Sequence, residues 1–235
     1  MTERAKRAVL FDASGTLIEA RVPIGETYAR IAEKYGAGMS AWRVGDAFAR
    51  VWRSTPAMVY PGLPPDVSAR REREAWREIV RQTYLAADSA IRPSDFDACF
   101  EELFAYYATG AAWTARAGAS EALAGLRAAG IATAVVSNFD RRLHGILADL
   151  GLAPLLDLVW LPSDAGVVKP DPAMLATAAA ALGVAPDHTL VVGNEAQRDL
   201  ECARAAGMRA VDVASLATLA DLPALIEREL PEPSR

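Results

Sequence analysis

From Ser120 onward the chain alternates short, wholly apolar runs with amphipathic segments that stop at glycine, and this alternation limits the fold more than any other feature. Helix Glu121–Ala129 is expected to close at Gly130, and strand Ile131–Val136 to end at Ser137-Asn138. Helix Arg142–Leu150 closes at Gly151 and is followed by a short strand, Leu158–Leu161. Helix Pro172–Leu182 closes at Gly183, strand Thr189–Val192 ends at Gly193-Asn194, and helix Arg198–Ala206 closes at Gly207. The last pieces are Arg209–Val213 and a helix near Leu216–Arg228. Strands without polar alternation are buried on both faces, and when glycine-closed helices separate them they form βαβ units around a parallel sheet.

The first strand of this set lies far upstream, at Ala8-Val9-Leu10-Phe11. Between about Ile24 and Gly110 the pattern is helical only. Thr27–Tyr35, Ala41–Arg53, Ala69–Ala87 and Ser94–Tyr107 repeat apolar residues at a spacing of 3–4, as in Phe96, Phe100, Leu103, Phe104 and Tyr107. Turn residues separate them: Gly36 and Gly38, Pro56, the run Pro61-Gly62-Leu63-Pro64-Pro65, and Pro93. The chain therefore reads as a doubly wound, Rossmann-like α/β core over residues 1–16 and 110–235. Residues 17–109 are inserted as a four-helix cap over the sheet edge.

Composition narrows the function classes. With 235 residues and 52% apolar content, the chain can build a continuous core. A net charge of −5 argues against a nucleic-acid surface. The apolar stretches are strand-sized, well short of the ~18 residues a membrane span needs. Met1-Thr2-Glu3-Arg4 lacks the apolar core of a signal peptide. Cys99 and Cys202 stand far apart and read as reduced core thiols, and His144 and His188 are too few for a zinc site. The expectation is a soluble cytoplasmic protein, monomer or homodimer, acting on a small molecule rather than on nucleic acid or membrane.

In a parallel sheet all strand ends lie on one edge, where open α/β folds hold their ligands. Four of these ends carry polar groups: Asp12 to Thr16, Ser137-Asn138, Lys169 within Gly166-Val167-Val168-Lys169-Pro170-Asp171-Pro172, and Gly193-Asn194 with Asp199. Taken singly, Asp12, Ser137, Asn194 and Asp199 also suit helix caps, Glu195 a solvated helix start, and Lys169-Pro170 a turn. Taken together and in this order, they describe a site for a small anion.

This series resembles the motifs of haloacid dehalogenase-superfamily hydrolases with a helical cap of the first type, in order, in insertion point and over nearly the whole length. The resemblance implies roles. Asp12 is the nucleophile, forming an acyl-type intermediate that water hydrolyses. Ser137 and the amide of Asn138 hold the transferring group's oxygens, and Thr16 supports the loop. Lys169 supplies a compact positive charge, and Asp199 orients it or the loop. Asp12, the backbone carbonyl of Ser14 and Asn194 take the places that hold Mg²⁺.

Two positions depart from the family pattern. Phosphatases of the family carry, at the place of Ser14, an aspartate that protonates the leaving oxygen and then activates water, work worth about 10²–10⁴-fold. Asn194 keeps an oxygen ligand but removes a negative charge, which lowers Mg²⁺ affinity. Three readings follow: a weak or unusual phosphatase, a dehalogenase-like enzyme needing no metal, or a silent member that binds a ligand or partner. The segment Phe11–Leu17 is similar to the dehalogenase motif, and Arg43 lies in the region of a halide-contacting arginine. However, Leu175 stands near the place of the dehalogenase aromatic, and Ala196 at that of its asparagine. Arg21 and Arg43 are the cap's candidates for an anion. Tyr28, Trp42, Trp52, Tyr60, Trp76, Tyr84, Tyr106 and Tyr107 read as bundle core, and Trp113 as packing where the chain returns to the core. The stretch Arg70–Glu74 reads as a solvated face.

Overall fold

The computed structural model describes residues 7–230. They divide into two compact units: one takes the chain up to Glu19 and again from Thr114, the other is Ala20–Trp113. The strands are β1 (Ala8–Phe11), β2 (Ile18–Ala20), β3 (Trp113–Ala115), β4 (Ala132–Val136), β5 (Leu158–Trp160), β6 (Thr189–Gly193) and β7 (Arg209–Asp212). Five of them form a parallel sheet in the order β5-β4-β1-β6-β7, and β2 pairs with β3. The chain starts in the middle, builds outward through β4 and β5, then returns to the other side of β1 for β6 and β7. This is the doubly wound topology, with its reversal between β1 and β6, where a crevice opens at the carboxyl ends of the strands. Phe11 is level with Val135 on one side and Val192 on the other, so the residues that follow these three strands leave the sheet side by side.

The helices are α1 (Ile24–Lys34), α2 (Ala41–Ser54), α3 (Pro65–Ala87), α4 (Phe96–Tyr106), α5 (Ala119–Ala128), α6 (Arg142–Asp149), α7 (Pro162–Ala165), α8 (Ala173–Leu182), α9 (Cys202–Ala205) and α10 (Leu222–Glu229). All four residues of β1 are fully buried, the reason the run has no polar alternation. Leu10, Ala134, Val136 and Val191 pack with Met174, Leu175 and Ala178 of α8 and with Cys202 and Ala203 of α9. Within the inserted unit, α1–α4 share a core of Tyr28, Ile31, Val44, Val80, Tyr84, Cys99, Phe100 and Leu103. The Tyr84 hydroxyl donates to the Tyr28 carbonyl at 3.0 Å. Among the described residues no helix is long and apolar enough to cross a membrane.

Several sequence expectations need correction. Helix α3 begins at Pro65 rather than Ala69, because proline has no N–H to lose at the first helical position. The helix expected near Leu216–Arg228 starts only at Leu222. Ahead of it, the side chains of Asp212 and Thr218 accept from the Ala214 and Ala220 amides and hold short 3₁₀ turns instead. Trp42 is 70% exposed and not in the bundle core, since α2 turns Val44 and Ala47 inward. Glu72 is buried at 7% exposure, so the Arg70–Glu74 face is not solvated throughout. The β2–β3 pair, three residues a side, carries no sequence signal.

Leu10 lies at the centre of both the sheet and its packed face. Leu10→Ala is expected to destabilise the protein by about 2–5 kcal/mol, read as a lower midpoint in urea unfolding with an unchanged slope.

Candidate active site

The Asp12 amide still follows the ladder, donating to Val192 O at 2.9 Å, so its carboxylate emerges at the sheet edge beside β6. The chain then folds back tightly. The amides of Thr16, Leu17 and Ile18 all converge on Ala13 O at 3.2, 2.9 and 3.0 Å, and the Gly15 amide meets Ile18 O at 2.8 Å. Gly15 has φ +87°, where a side chain is strained, and a Cβ there would lie 2.6 Å from Asn194 Nδ2. Glycine thus serves both the turn and the approach of Asn194. The fully buried Thr16 closes this contact by donating from Oγ1 to Asn194 Oδ1 at 3.2 Å. Arg116 braces the turn from outside, with Nη1 2.9 Å from Gly15 O and 3.1 Å from Glu19 Oε1.

Lys169 is the hub. Its ammonium donates to Asp12 Oδ1 at 2.7 Å and to Asp199 Oδ1 at 2.6 Å. The side chains of Lys169 and Asp199 are 3% and 1% exposed, that of Asp12 12%, so Asp12 is the member open to a ligand. The backbone of Lys169 is gripped by Asn138, whose Oδ1 accepts from Lys169 N–H and whose Nδ2 donates to Lys169 O, both at 2.8 Å. Asn138 leads out of β4, so the neighbour of β1 in the sheet fixes the loop that carries the lysine.

Asp199 is held as firmly. Its Oδ2 accepts from the amides of Asn194 and Glu195 at 3.1 and 3.0 Å. A Cβ on Gly193 would fall 2.3 Å from Asp199 Cβ and 2.4 Å from its Cγ, so the last residue of β6 must lack a side chain. The sequence expectation of a regular helix from Arg198 is corrected: Ala196–Glu201 is a π-turn, with the Asp199 and Leu200 amides both on Glu195 O at 2.9 and 3.3 Å. The Leu200 amide reaches back five residues rather than four, which widens this turn, a distortion frequent at functional sites.

Ser137 is buried and follows β4 as Asp12 follows β1. Its amide donates to Trp160 O at 3.2 Å, and its Oγ accepts from the Phe139 amide at 3.3 Å. The next turn is fixed by Asp140, which takes Arg142 N–H and Nε at 3.0 and 2.9 Å on one oxygen and Nη2 at 2.6 Å on the other.

Sequence reasoning thus named residues that do meet: Asp12, Lys169 and Asp199 directly, Asn138 through the lysine backbone, and Thr16 with Asn194. Ser14 is exposed on the turn after Asp12. Arg116, the Asp140–Arg142 pair and the contact of Gly193 with Asp199 were missed, and only Gly193, a glycine at a strand end, carried a signal. Arg21 donates to Trp113 O at 2.9 Å and Arg43 stacks on Trp42. Leu175 lies in the core and Ala196 opens the π-turn. Burial pushes the Cys202 thiol up to about 11, so it stays protonated at neutral pH.

Burial raises the Asp12 carboxyl above the ordinary aspartate value, against the pull of Lys169 and with Asp199 adding to it. Burial acts against the Lys169 charge too, but the two carboxylates hold its ammonium above the ordinary lysine value. A carboxyl raised by folding stabilises the fold at pH below its unfolded value, and that contribution is lost as pH rises through the folded value. Asp12→Asn, which leaves Lys169 paired with Asp199, is therefore expected to raise the melting temperature at neutral pH. The gain over the native protein should fade as pH falls through the raised Asp12 value, as differential scanning calorimetry across pH will show.

A family model for haloacid dehalogenase-like hydrolases matches residues 6–207. Haloacid dehalogenase-like hydrolase domain-containing protein 3 of Bos taurus is 33% identical over 211 residues, covering 88% of this chain and 82% of its own. The crystal structure of a haloacid dehalogenase family hydrolase from Deinococcus radiodurans R1, with bound phosphate and sodium, is 26% identical with a TM-score of 0.65 and covers 99% of this chain and 100% of its own. A defluorinating L-2-haloacid dehalogenase shares the fold, with a TM-score of 0.71 at 20% identity over 94% of this chain and 95% of its own. With sequence matched across most of its length and a doubly wound core carrying paired aspartates around a buried lysine, the chain belongs to the haloacid dehalogenase-like hydrolase family.

Proposed function

We propose that this hydrolase acts on a small phosphorylated compound through a covalent aspartyl intermediate, with Asp12 as the nucleophile. The observation that carries the reading is the Lys169 ammonium, 2.7 Å from Asp12 at the crevice between β1 and β6. In this reading Asp12 offers the oxygen not bonded to Lys169 to the substrate. Lys169 keeps the nucleophile oriented and places positive charge beside the incoming anion. Asp199 locks the ammonium, and Asn138 locks the lysine backbone. Ser137 and the Asn138 amide receive oxygens of the transferring group, and Thr16 holds the turn. That the Deinococcus radiodurans hydrolase was crystallised with bound phosphate is in keeping with a phosphorylated ligand for this fold.

Two carboxylates and one ammonium leave the buried cluster net negative, which favours a cation beside a phosphorylated substrate. Asp12, the Ser14 carbonyl and Asn194 Oδ1 supply hard oxygens suited to Mg²⁺, while both oxygens of Asp199 are already engaged. Mg²⁺, when bound there, neutralises the substrate's charge against the carboxylates. With Asn194 neutral, the set carries a single free carboxylate, so affinity is low and turnover of ordinary phosphate esters is weak.

The purified protein should release phosphate from 4-nitrophenyl phosphate, and Asp12→Asn should abolish it. Because Asp12 must be ionised and burial raises it, the acid limb of kcat/KM should lie above pH 3.8. Rapid Mg²⁺-dependent hydrolysis of sugar phosphates would contradict the weak-activity reading. Metal-independent halide release from 2-haloacids, without phosphate turnover, would assign dehalogenase chemistry instead.

A further inference from the structure

Among the described residues of the unit that carries the sheet, each titratable group that the strand ends bring toward Asp12 already has another task, Asp140 included, with both its oxygens on Arg142. Asp12 is the attacking group. Asp199 is 1% exposed, with one oxygen on Lys169 and the other on two amides. Lys169 donates to both carboxylates, which makes it a reluctant acid. Glu195 leans on Arg198 at 3.2 Å, and Glu19 on Arg116 at 3.1 Å. His188 precedes β6, at the amino end of a strand whose carboxyl end bears the site. The exposed side chain on the turn after Asp12 is Ser14, whose hydroxyl does not release a proton near neutral pH.

Resting on the covalent reading above, we propose that the substrate is a phosphorylated compound whose leaving oxygen departs as its anion: an acyl, enol or aryl phosphate, not an alkyl phosphate of the sugar type. An Asp12 oxygen forms a bond to phosphorus as the bond from phosphorus to the leaving oxygen breaks. The bonding pair leaves on that oxygen with no proton transferred. Water then attacks the aspartyl phosphate, restores the carboxylate and releases inorganic phosphate, which keeps the water's protons. An alkoxide is too basic to depart in this way, whereas a carboxylate, enolate or phenolate is stable enough to do so.

The test is a leaving-group series: acetyl phosphate, 4-nitrophenyl phosphate, phenyl phosphate and glycerol phosphate, each measured as kcat/KM with the native protein, Ser14→Asp and Asp12→Asn. Because kcat/KM reports the step in which the leaving group departs, it should fall steeply along the series. Ser14 is exposed, so Ser14→Asp should fold normally. It should raise kcat/KM for glycerol phosphate by roughly 10²-fold, the lower end of what a general acid supplies, and raise it far less for acetyl phosphate and the two aryl phosphates. A flat, Asp12-dependent series overturns the substrate class and leaves the covalent reading intact, since a proton donor would then come from elsewhere. A Ser14→Asp effect equal on all four compounds overturns it as well. Turnover that survives Asp12→Asn, or is absent with every phosphate, sinks the covalent reading itself.

Discussion

The site is organised by one ammonium placed between two carboxylates. A buried charge is tolerated only when it is paired and hydrogen-bonded, and leaving such a group with no partner is strongly destabilising. Lys169 meets the requirement with Asp12 on one side and Asp199 on the other, and each of these contacts places demands elsewhere. Asp199 can reach the ammonium only because Gly193 has no side chain and because two amides stabilise its second oxygen. The lysine's backbone is set by Asn138, so three strand ends and one loop are bound into a single polar assembly.

The sheet was legible in the sequence because strands buried on both faces, such as Ala8–Phe11 and Thr189–Gly193, have no polar alternation to confuse with a helix. The polar residues that end them were legible for the same reason, as abrupt breaks in apolar runs. What could not be read is pairing over distance. Nothing local to Asn138 says that its amide matches the peptide group of a residue 31 positions away. Nor does Arg116 announce a bond to Gly15, 101 positions earlier. The π-turn escaped because its defining bond, from the Leu200 amide to Glu195 O, leaves no mark on the spacing of apolar residues. In the inserted unit the helices followed their apolar spacing, whereas Trp42 did not: hydrophobicity alone cannot tell which side of α2 faces inward.

Ser14 and Asn194 are both exposed, in contrast to Lys169, Asp199, Thr16 and Ser137, which are buried. The buried groups hold the architecture together, and the two positions that depart from the family pattern lie at its exposed edge. A chain can in this way keep the scaffold of its family while the residues at its exposed edge vary.

The widened turn at Ala196–Glu201 fixes how many residues separate Gly193 from Asp199. Each residue of a regular helix advances about 100° around its axis, so shortening the turn by one would swing the aspartate to another face. Insertions and deletions that surface loops absorb freely are thus barred from this short stretch. The spacing Gly-Asn-Glu-x-x-x-Asp behaves as a ruler, with its length set by the distance from the strand's last peptide to the lysine ammonium.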